Sequence, residues 1–149
     1  MDLYSLIKKD HEAIGGLFRR LQAAEGFTET AEQLYAQLRE EFELHAHAAE
    51  RVLYPALREA EGAPALVQKA HDNHALIQAL LDELAVLHID DAAWYEKLEG
   101  LAEHVKAHIE AEEGDIFNVA RRRLSAARAV ALAQRWQAAK QEHMARHAK

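Results

Sequence analysis

Hydrophobic residues recur along this chain at the three- and four-residue spacing of amphipathic α-helices, and turn signals divide them into five stretches. Glycines at Gly26 and Gly62 end the first two stretches. Helices that follow a break can be capped by Thr28, by Asp90 or Asp91, and by Ser125. The pattern predicts helices over about residues 3–25, 28–61, 67–87, 92–123 and 125–146.

Four long helices joined by short connections predict an all-α fold, an up-and-down antiparallel four-helix bundle with an additional C-terminal helix alongside it or at one end. The composition agrees, because half of the residues are hydrophobic and only 2 are proline. A chain of 149 residues suits one domain, 1–149, with the bundle over about 1–123 and the last helix over about 125–146.

The first two predicted helices and the next two are similar to each other at an offset of 63 residues. This offset overlays His11 on His74 and His45 on His108. Apolar positions match as well, since Phe42 overlays Val105. Two stacked hairpins related by a pseudo-two-fold axis would carry one histidine from each of four helices towards that axis.

Charge and composition exclude several classes of function. Lys and Arg total 18 against 25 for Asp and Glu, and no basic patch stands at the spacing typical of nucleic-acid binding. The N-terminus becomes charged within eight residues and the most apolar stretch, 126–133, is short, so we expect a cytoplasmic protein with no membrane partner. Because cysteine is absent, any metal must bind to histidine, carboxylate or water.

Helix phase selects the candidate ligands among the 10 histidines. At 100° per residue, one histidine in each bundle helix shares the apolar face, and Glu112 lies one turn beyond the last of them. A single inward histidine is commonly a hydrogen-bonded core residue, whereas four that converge favour a metal site. We therefore predict metal ligands at His11, His45, His74, His108 and Glu112. Iron, zinc and manganese all suit imidazole and carboxylate.

Four motifs, in order, resemble the hemerythrin (HHE) family: DHEAI, HAHAAERVLYP, NHALIQALLDEL and HIEAEEGDIF. The resemblance covers about residues 1–120. It implies a helical bundle around a non-haem di-iron centre, which binds dioxygen in some members and serves NO-related, peroxide-related or iron-sensing functions in others. It also implies the same five ligands that helix phase selects.

One position departs from the family pattern. The family has a glutamate four residues after the histidine of the second helix, and this chain has Ala49 there. Glu50 is predicted to point about 100° away, towards solvent or the outer side of the site. His71 and His104 lie one turn before His74 and His108 and are further candidate ligands. Either a single ion or a pair held by these extra histidines is expected.

The other polar and aromatic residues carry weaker signals. Glu113 is predicted to belong to an ordinary charged helix face, and the large aromatic residues are predicted to be packing anchors, at Tyr54, Trp94, Phe117 and Trp136. The remaining histidines are predicted to be exposed, at His47, His88, His143 and His147.

Two functions from different classes follow. The first is a metal-binding protein whose reduced iron reacts with, or reversibly holds, a small diatomic or peroxide ligand. The second is a structural or regulatory helical module that metal only stabilises, without redox chemistry. A classical hydrolase is not expected, because no nucleophile elbow or phosphate-binding glycine loop is present. The oligomeric state is left open.

Overall fold

A computed structural model describes residues 1–61 and 63–147, and the predicted all-α class is confirmed. Its helices, in chain order, are α1 (Leu3–Ala23), α2 (Thr28–Ala48), π1 (Ala49–Leu53), α3 (Tyr54–Glu59), α4 (Pro64–Val86), α5 (Ala92–Ala111), π2 (Glu112–Ile116), α6 (Phe117–Arg123) and α7 (Ala126–His147). Gly62, predicted to end the second helix, lies outside the described residues.

The bundle contains four long helical rods, because each π-turn continues the helix before it into the helix after it. The second rod is α2–π1–α3 and the fourth is α5–π2–α6. α1 packs against α2, and α4 packs against α5, which gives the two predicted hairpins. The additional helix α7 packs alongside the first hairpin, against α1, α2 and π1.

The helix ends follow local chemistry only in part. Asp91 precedes α5, as predicted, but its side chain makes no capping hydrogen bond. The Ser125 hydroxyl accepts a hydrogen bond from the Arg128 N–H at the start of α7, so the predicted cap is confirmed. Thr28 is not a cap: it is the first helical residue of α2, and its hydroxyl bonds Asp90 instead. Gly26 has a φ of +91°, a left-handed conformation that glycine adopts without strain.

The two π-turns stand at equivalent places in the repeat, since 49–53 and 112–116 are 63 residues apart. A π-turn adds a residue to one turn of helix and therefore shifts the phase of the side chains around it. The first residue of each turn is buried, Ala49 in the first half and Glu112 in the second. The π-turns therefore set the direction of the glutamates that follow their first residues, Glu50 and Glu113.

The core consists of two apolar clusters with a polar layer between them. Along α1, Ile7 belongs to one cluster and Ile14 to the other, and His11 lies between the two. Along α4, Ala70 and Ile77 flank His74 in the same way. Within residues 1–61 and 63–147, no helix has the length and apolar character needed to cross a membrane.

Candidate metal centre

Among the described residues, polar and charged side chains are buried in one place, at Asp10, His11, His45, His74, His108 and Glu112. The histidines come from α1, α2, α4 and α5, one from each, and the glutamate is the first residue of π2. The structure therefore brings together all five residues that helix phase selected. Burial of so many polar groups is costly unless each finds a partner.

The Glu112 carboxylate lies at the middle of this cluster, and its two oxygens face different histidines. Oε1 is 3.0 Å from His11 Nε2 and 3.1 Å from His45 Nε2. Oε2 is 3.3 Å from His108 Nε2, which in turn is 2.9 Å from His74 Nε2. Ligand atoms of His45, His74, His108 and Glu112 all lie within 4.8 Å of one another. One carboxylate thus connects two pairs of imidazoles.

Tyr54 is a member of the cluster that sequence reasoning assigned only to packing. Its hydroxyl donates a hydrogen bond to Glu112 Oε2 over 2.8 Å and lies 3.4 Å from His74 Nε2. Tyr54 follows π1, and its N–H bonds the carbonyl of Ala49, so the phenol comes from the turn that lacks the family glutamate. The repeat offered a signal, because it pairs Tyr54 with Phe117 and only the first half has a hydroxyl.

Carboxylates also hold the outer nitrogens of the first histidine pair. Glu113 Oε2 is 2.6 Å from His11 Nδ1, and Asp10 Oδ2 is 3.1 Å from His45 Nδ1. Such a contact fixes the ring so that the Nε2 lone pair faces the centre. The prediction that Glu113 belongs to an ordinary charged face is wrong, because π2 turns its side chain towards α1.

The second histidine pair is held less firmly. Glu50 Oε1 is 2.6 Å from His71 Nδ1 but 3.6 Å from His74 Nδ1. In the described part of the chain, the Nδ1 atoms of His74 and His108 are buried without a hydrogen-bond partner. Glu50 still lies on the outer side of the site, as predicted, and touches it only through these histidines.

Helix α7 completes the first half of the centre through Asp10. The Trp136 indole N–H donates to Asp10 Oδ2 over 3.1 Å, and the Lys140 ammonium donates to Oδ1 over 2.6 Å. Asp10 therefore connects α7 to His45, because the same carboxylate also contacts His45 Nδ1 and orients that ring. The prediction that Trp136 is a packing anchor is incomplete, since its ring is buried and its N–H also serves this network.

The two extra histidine candidates stay outside the cluster. The side chain of His71 is 50% exposed and bonds Glu50, and His104 lies on the exposed face of α5. Both were one turn from an inward histidine, but the buried faces of α4 and α5 are narrower than the phase argument assumed. His47 also differs from its prediction, because it is half-buried against His143. His88 is exposed, as predicted.

The pKa shifts of the cluster show which of its groups are charged when no metal is bound. Burial opposes ionisation of Glu112, yet hydrogen bonds from His108, His11 and His45 hold the pKa of that carboxyl well below its usual range. Burial lowers the pKa of His45, but its bonds to Asp10 and Glu112 outweigh this and raise the pKa to about 9. Burial dominates at His74 and lowers its pKa. Without a metal, the buried site therefore holds an ionised Glu112 together with a protonated His45, and a bound cation would take the place of that proton.

The donor set fits a metal. The Nε2 atoms of His74 and His108 are 2.9 Å apart, so their lone pairs are directed at the same space. Without a cation, one of these nitrogens must donate its proton to the other. Imidazole nitrogen and carboxylate oxygen, without thiolate, is a ligand set that suits iron, zinc or manganese. The buried cluster therefore has the donor set of a metal-binding site.

Comparisons with known proteins agree with this geometry. Over 140 residues, the chain is 26% identical to a DNA nickase from Nostoc sp. (strain PCC 7120), a match that covers 94% of this chain and 39% of that protein. It shares its fold with a hemerythrin HHE cation-binding domain-containing protein from Mycobacterium kansasii, at a TM-score of 0.86 and 22% identity, over 96% of this chain and 87% of the other. The model of the hemerythrin HHE cation-binding domain matches residues 2–120. The chain therefore belongs to the hemerythrin HHE cation-binding domain family.

Proposed function

We propose that this protein holds two non-haem iron ions and binds or reacts with dioxygen, nitric oxide or peroxide. The observation that carries the proposal is the position of Glu112, whose two carboxylate oxygens each face one pair of histidines. When bound, iron would supply the electrons for chemistry with such small ligands.

Each ion would take its ligands from one side of the centre. His11, His45 and Glu112 Oε1 would hold the first. His74, His108 and Glu112 Oε2 would hold the second. Each set has two histidines and one carboxylate oxygen, whereas a metal ion of this kind takes about four to six ligands. Both ions would therefore have positions open for a small molecule. His71 and His104 are not needed in this arrangement.

The chain itself would control water and protons around the ions. The apolar clusters on both sides of the polar layer exclude bulk water. Burial and the nearby Glu112 charge raise the pKa of Tyr54 well above its usual range, so its hydroxyl keeps its proton. The hydroxyl donates that proton to Glu112 Oε2 over 2.8 Å, so it would stabilise the charge of the carboxylate that both ions share.

DNA nicking, the activity that names the Nostoc protein, is not included in the proposed function. The chain spans 39% of that protein's length, and its formal charge of -7 disfavours contact with a phosphate backbone. The competing function is a structural or regulatory module that metal stabilises without redox chemistry.

Metal analysis of the purified protein, followed by visible spectroscopy with and without dioxygen, separates these functions. We expect about two iron ions per chain and a spectrum that changes on exposure to dioxygen, NO or peroxide. His45→Ala and His108→Ala should each lower the iron content, because each removes a ligand from one ion. His88→Ala, an exposed histidine, is the control. A redox-inert zinc protein with an unchanging spectrum would favour the structural module and contradict the proposal.

A further inference from the structure

The two tryptophans of this chain are equally buried but have different surroundings. Trp94 and Trp136 are each 1% exposed, and they belong to different apolar clusters of the core. The Trp94 N–H donates to the backbone carbonyl of Leu84, an ordinary contact for a core tryptophan. The Trp136 N–H donates instead to the Asp10 carboxylate, which serves the buried centre. Packing therefore accounts for Trp94 but not for the polar partner of Trp136.

Trp136 is connected to the candidate ligand His45 in two ways. The ring centroids of Trp136 and His45 are 5.4 Å apart and their planes lie at 63°, which is an edge-to-face contact. The Trp136 N–H and His45 Nδ1 also meet the same oxygen, Asp10 Oδ2, each over 3.1 Å. The Nε2 atom of His45 faces Glu112. One ring contact and two hydrogen bonds thus form a short path from the indole to the centre.

Within the described residues, three other aromatic side chains contact the central histidines: Phe42, Tyr54 and Trp136, of which Trp136 alone is an indole. Indole has the most electron-rich ring of the three, since it attracts cations more strongly than a phenol or a benzene ring does. The Tyr54 hydroxyl donates to Glu112, so loss of an electron there would pass a proton to the carboxylate that both ions share. Trp136 is therefore the ring beside the centre that gives up an electron most readily.

The Asp10 carboxylate suits the charge that such a loss leaves behind. An indole that has lost an electron is positively charged, and a buried charge without a partner is costly. Asp10 Oδ2 accepts the hydrogen bond of the Trp136 N–H and would hold this charge through a charge-assisted contact. Because Asp10 also accepts from Lys140 and contacts His45, the indole keeps its N–H proton. Loss of an electron at Trp136 therefore requires no proton transfer to the centre.

We propose that Trp136 is an electron donor to the buried centre and supplies peroxide with electrons when the metal is already oxidised. The inference rests on the proposed function, because it requires iron at the centre and peroxide as the oxidant. Reduction of one peroxide to two waters takes two electrons and two protons. Trp136 releases the same number when a ring C–H becomes C–OH with the oxygen of one water. In sum, one peroxide and Trp136 give one water and one hydroxytryptophan.

Such a donor would protect the ligands of the centre. Electrons that come from the indole are not taken from the imidazole rings, so the histidines stay able to bind metal. Trp136 belongs to α7, which lies beyond residues 2–120 that the family model matches. The additional helix would thus contribute an electron source to the centre as well as the Lys140 contact that supports Asp10.

Peroxide treatment of the iron-loaded protein, oxidised to Fe³⁺ and kept under argon in isotopically labelled water, tests the proposal. Peptide mapping by mass spectrometry should find one added oxygen atom on Trp136, with the label of the water. Trp94, which is equally buried but makes no ring contact with a central histidine in the described chain, should stay unmodified. Protein loaded with Zn²⁺ should keep both tryptophans unmodified, because zinc has no redox chemistry.

Two matched variants give a second readout. Trp136→Phe should still bind iron, because His45 and Lys140 still hold Asp10. It should lose that iron after fewer additions of peroxide than the unmodified protein does, since the electrons then come from the ligands. Trp94→Phe removes an equally buried tryptophan and should keep its iron as long as the unmodified protein.

Iron that reacts with peroxide while Trp136 stays unmodified would overturn this inference alone. Oxygen from peroxide instead of water on Trp136 would mean direct attack on the ring, and modification of Tyr54 in its place would put the electron source in another residue. Either result contradicts the donor role of Trp136. A protein that takes up no iron, or whose spectrum does not respond to peroxide, would contradict the proposed function and this inference together.

Discussion

The two halves of the buried centre come from one sequence repeat, yet they hold their histidines differently. In the first half, both Nδ1 atoms meet carboxylates, from Glu113 at His11 and from Asp10 at His45. In the second half, the Nδ1 atoms of His74 and His108 are buried without a hydrogen-bond partner in the described chain. The first pair is therefore oriented before any metal binds, and the second pair is freer to adjust.

Substitutions at three repeat positions accompany this difference. The first half has Asp10, Ala49 and Tyr54, whereas the second half has Asn73, Glu112 and Phe117 at the same places. Helix α7 contributes to this difference, because it packs against the first hairpin and its Lys140 contacts Asp10 there. A nearly symmetric scaffold can thus hold an unsymmetric centre, with one carboxylate serving both sides.

The largest effect is expected from Glu112, the residue that both halves share. Glu112→Gln keeps the size of the side chain but removes its charge. Metal affinity should fall by about 100-fold or more, which exceeds the loss expected for a residue that only orients a ligand. Glu113→Gln loosens only His11 and should cost about 10-fold. Glu110→Gln, on an exposed position of α5, is the control. Equal losses in all three, measured by metal titration, would mean that the geometry of π2 does not matter.

Asp10 should come next, since it orients a single histidine. Asp10→Asn weakens the contacts with His45, Trp136 and Lys140 together, and metal affinity should fall by about 10- to 100-fold. Asn73→Ala is the matched change in the second half, where no carboxylate is lost. Competition against a chelator would measure both variants. Similar losses from the two would contradict the view that the halves are held differently.

Tyr54→Phe makes the first half resemble the second at that position. The ring should still pack, because Phe117 fills the equivalent place. Glu112 Oε2 loses the donor from Tyr54 and keeps only its contact with His108, at a cost of about 1–3 kcal/mol. We expect a lower free energy of unfolding in urea and a shifted visible spectrum. Tyr4→Phe is the control, because the buried Tyr4 hydroxyl has no partner in the described chain, and that variant should keep its stability. A Tyr54 variant with an unchanged spectrum would place the hydroxyl outside the centre.

Lys140→Met should give the smallest effect, because it acts through Asp10 and its side chain is 22% exposed. Loss of this ion pair should cost about 1 kcal/mol after allowance for solvent, and lower the melting temperature by about 2–4 °C. Lys97→Met removes an exposed pair with Glu83 and should change the melting temperature very little. If the two variants melted alike, the Lys140 contact would contribute nothing to the stability of the first half of the centre.

Much of the site followed from the periodicity of the sequence. Helical phase placed His11, His45, His74 and His108 on the inner faces, and the structure has all four buried together with Glu112. The same argument made His104 a candidate ligand because it lies near an inner face, but the structure has it exposed. Periodicity gives the direction of a side chain on its own helix, but the width of the buried face depends on which helices pack against it.

The sequence by itself determined the helices, the repeat and the inward direction of the five central residues, because each depends on residues three or four apart along one helix. Only the tertiary structure decided which groups support them. The π-turns rotated Glu113 onto His11, and α7 brought Lys140 to Asp10 from 130 residues away in the chain. Such contacts cannot be predicted from a local sequence pattern, because they form only when separate helices pack against each other. That packing also fixes the direction of the side chains in each π-turn.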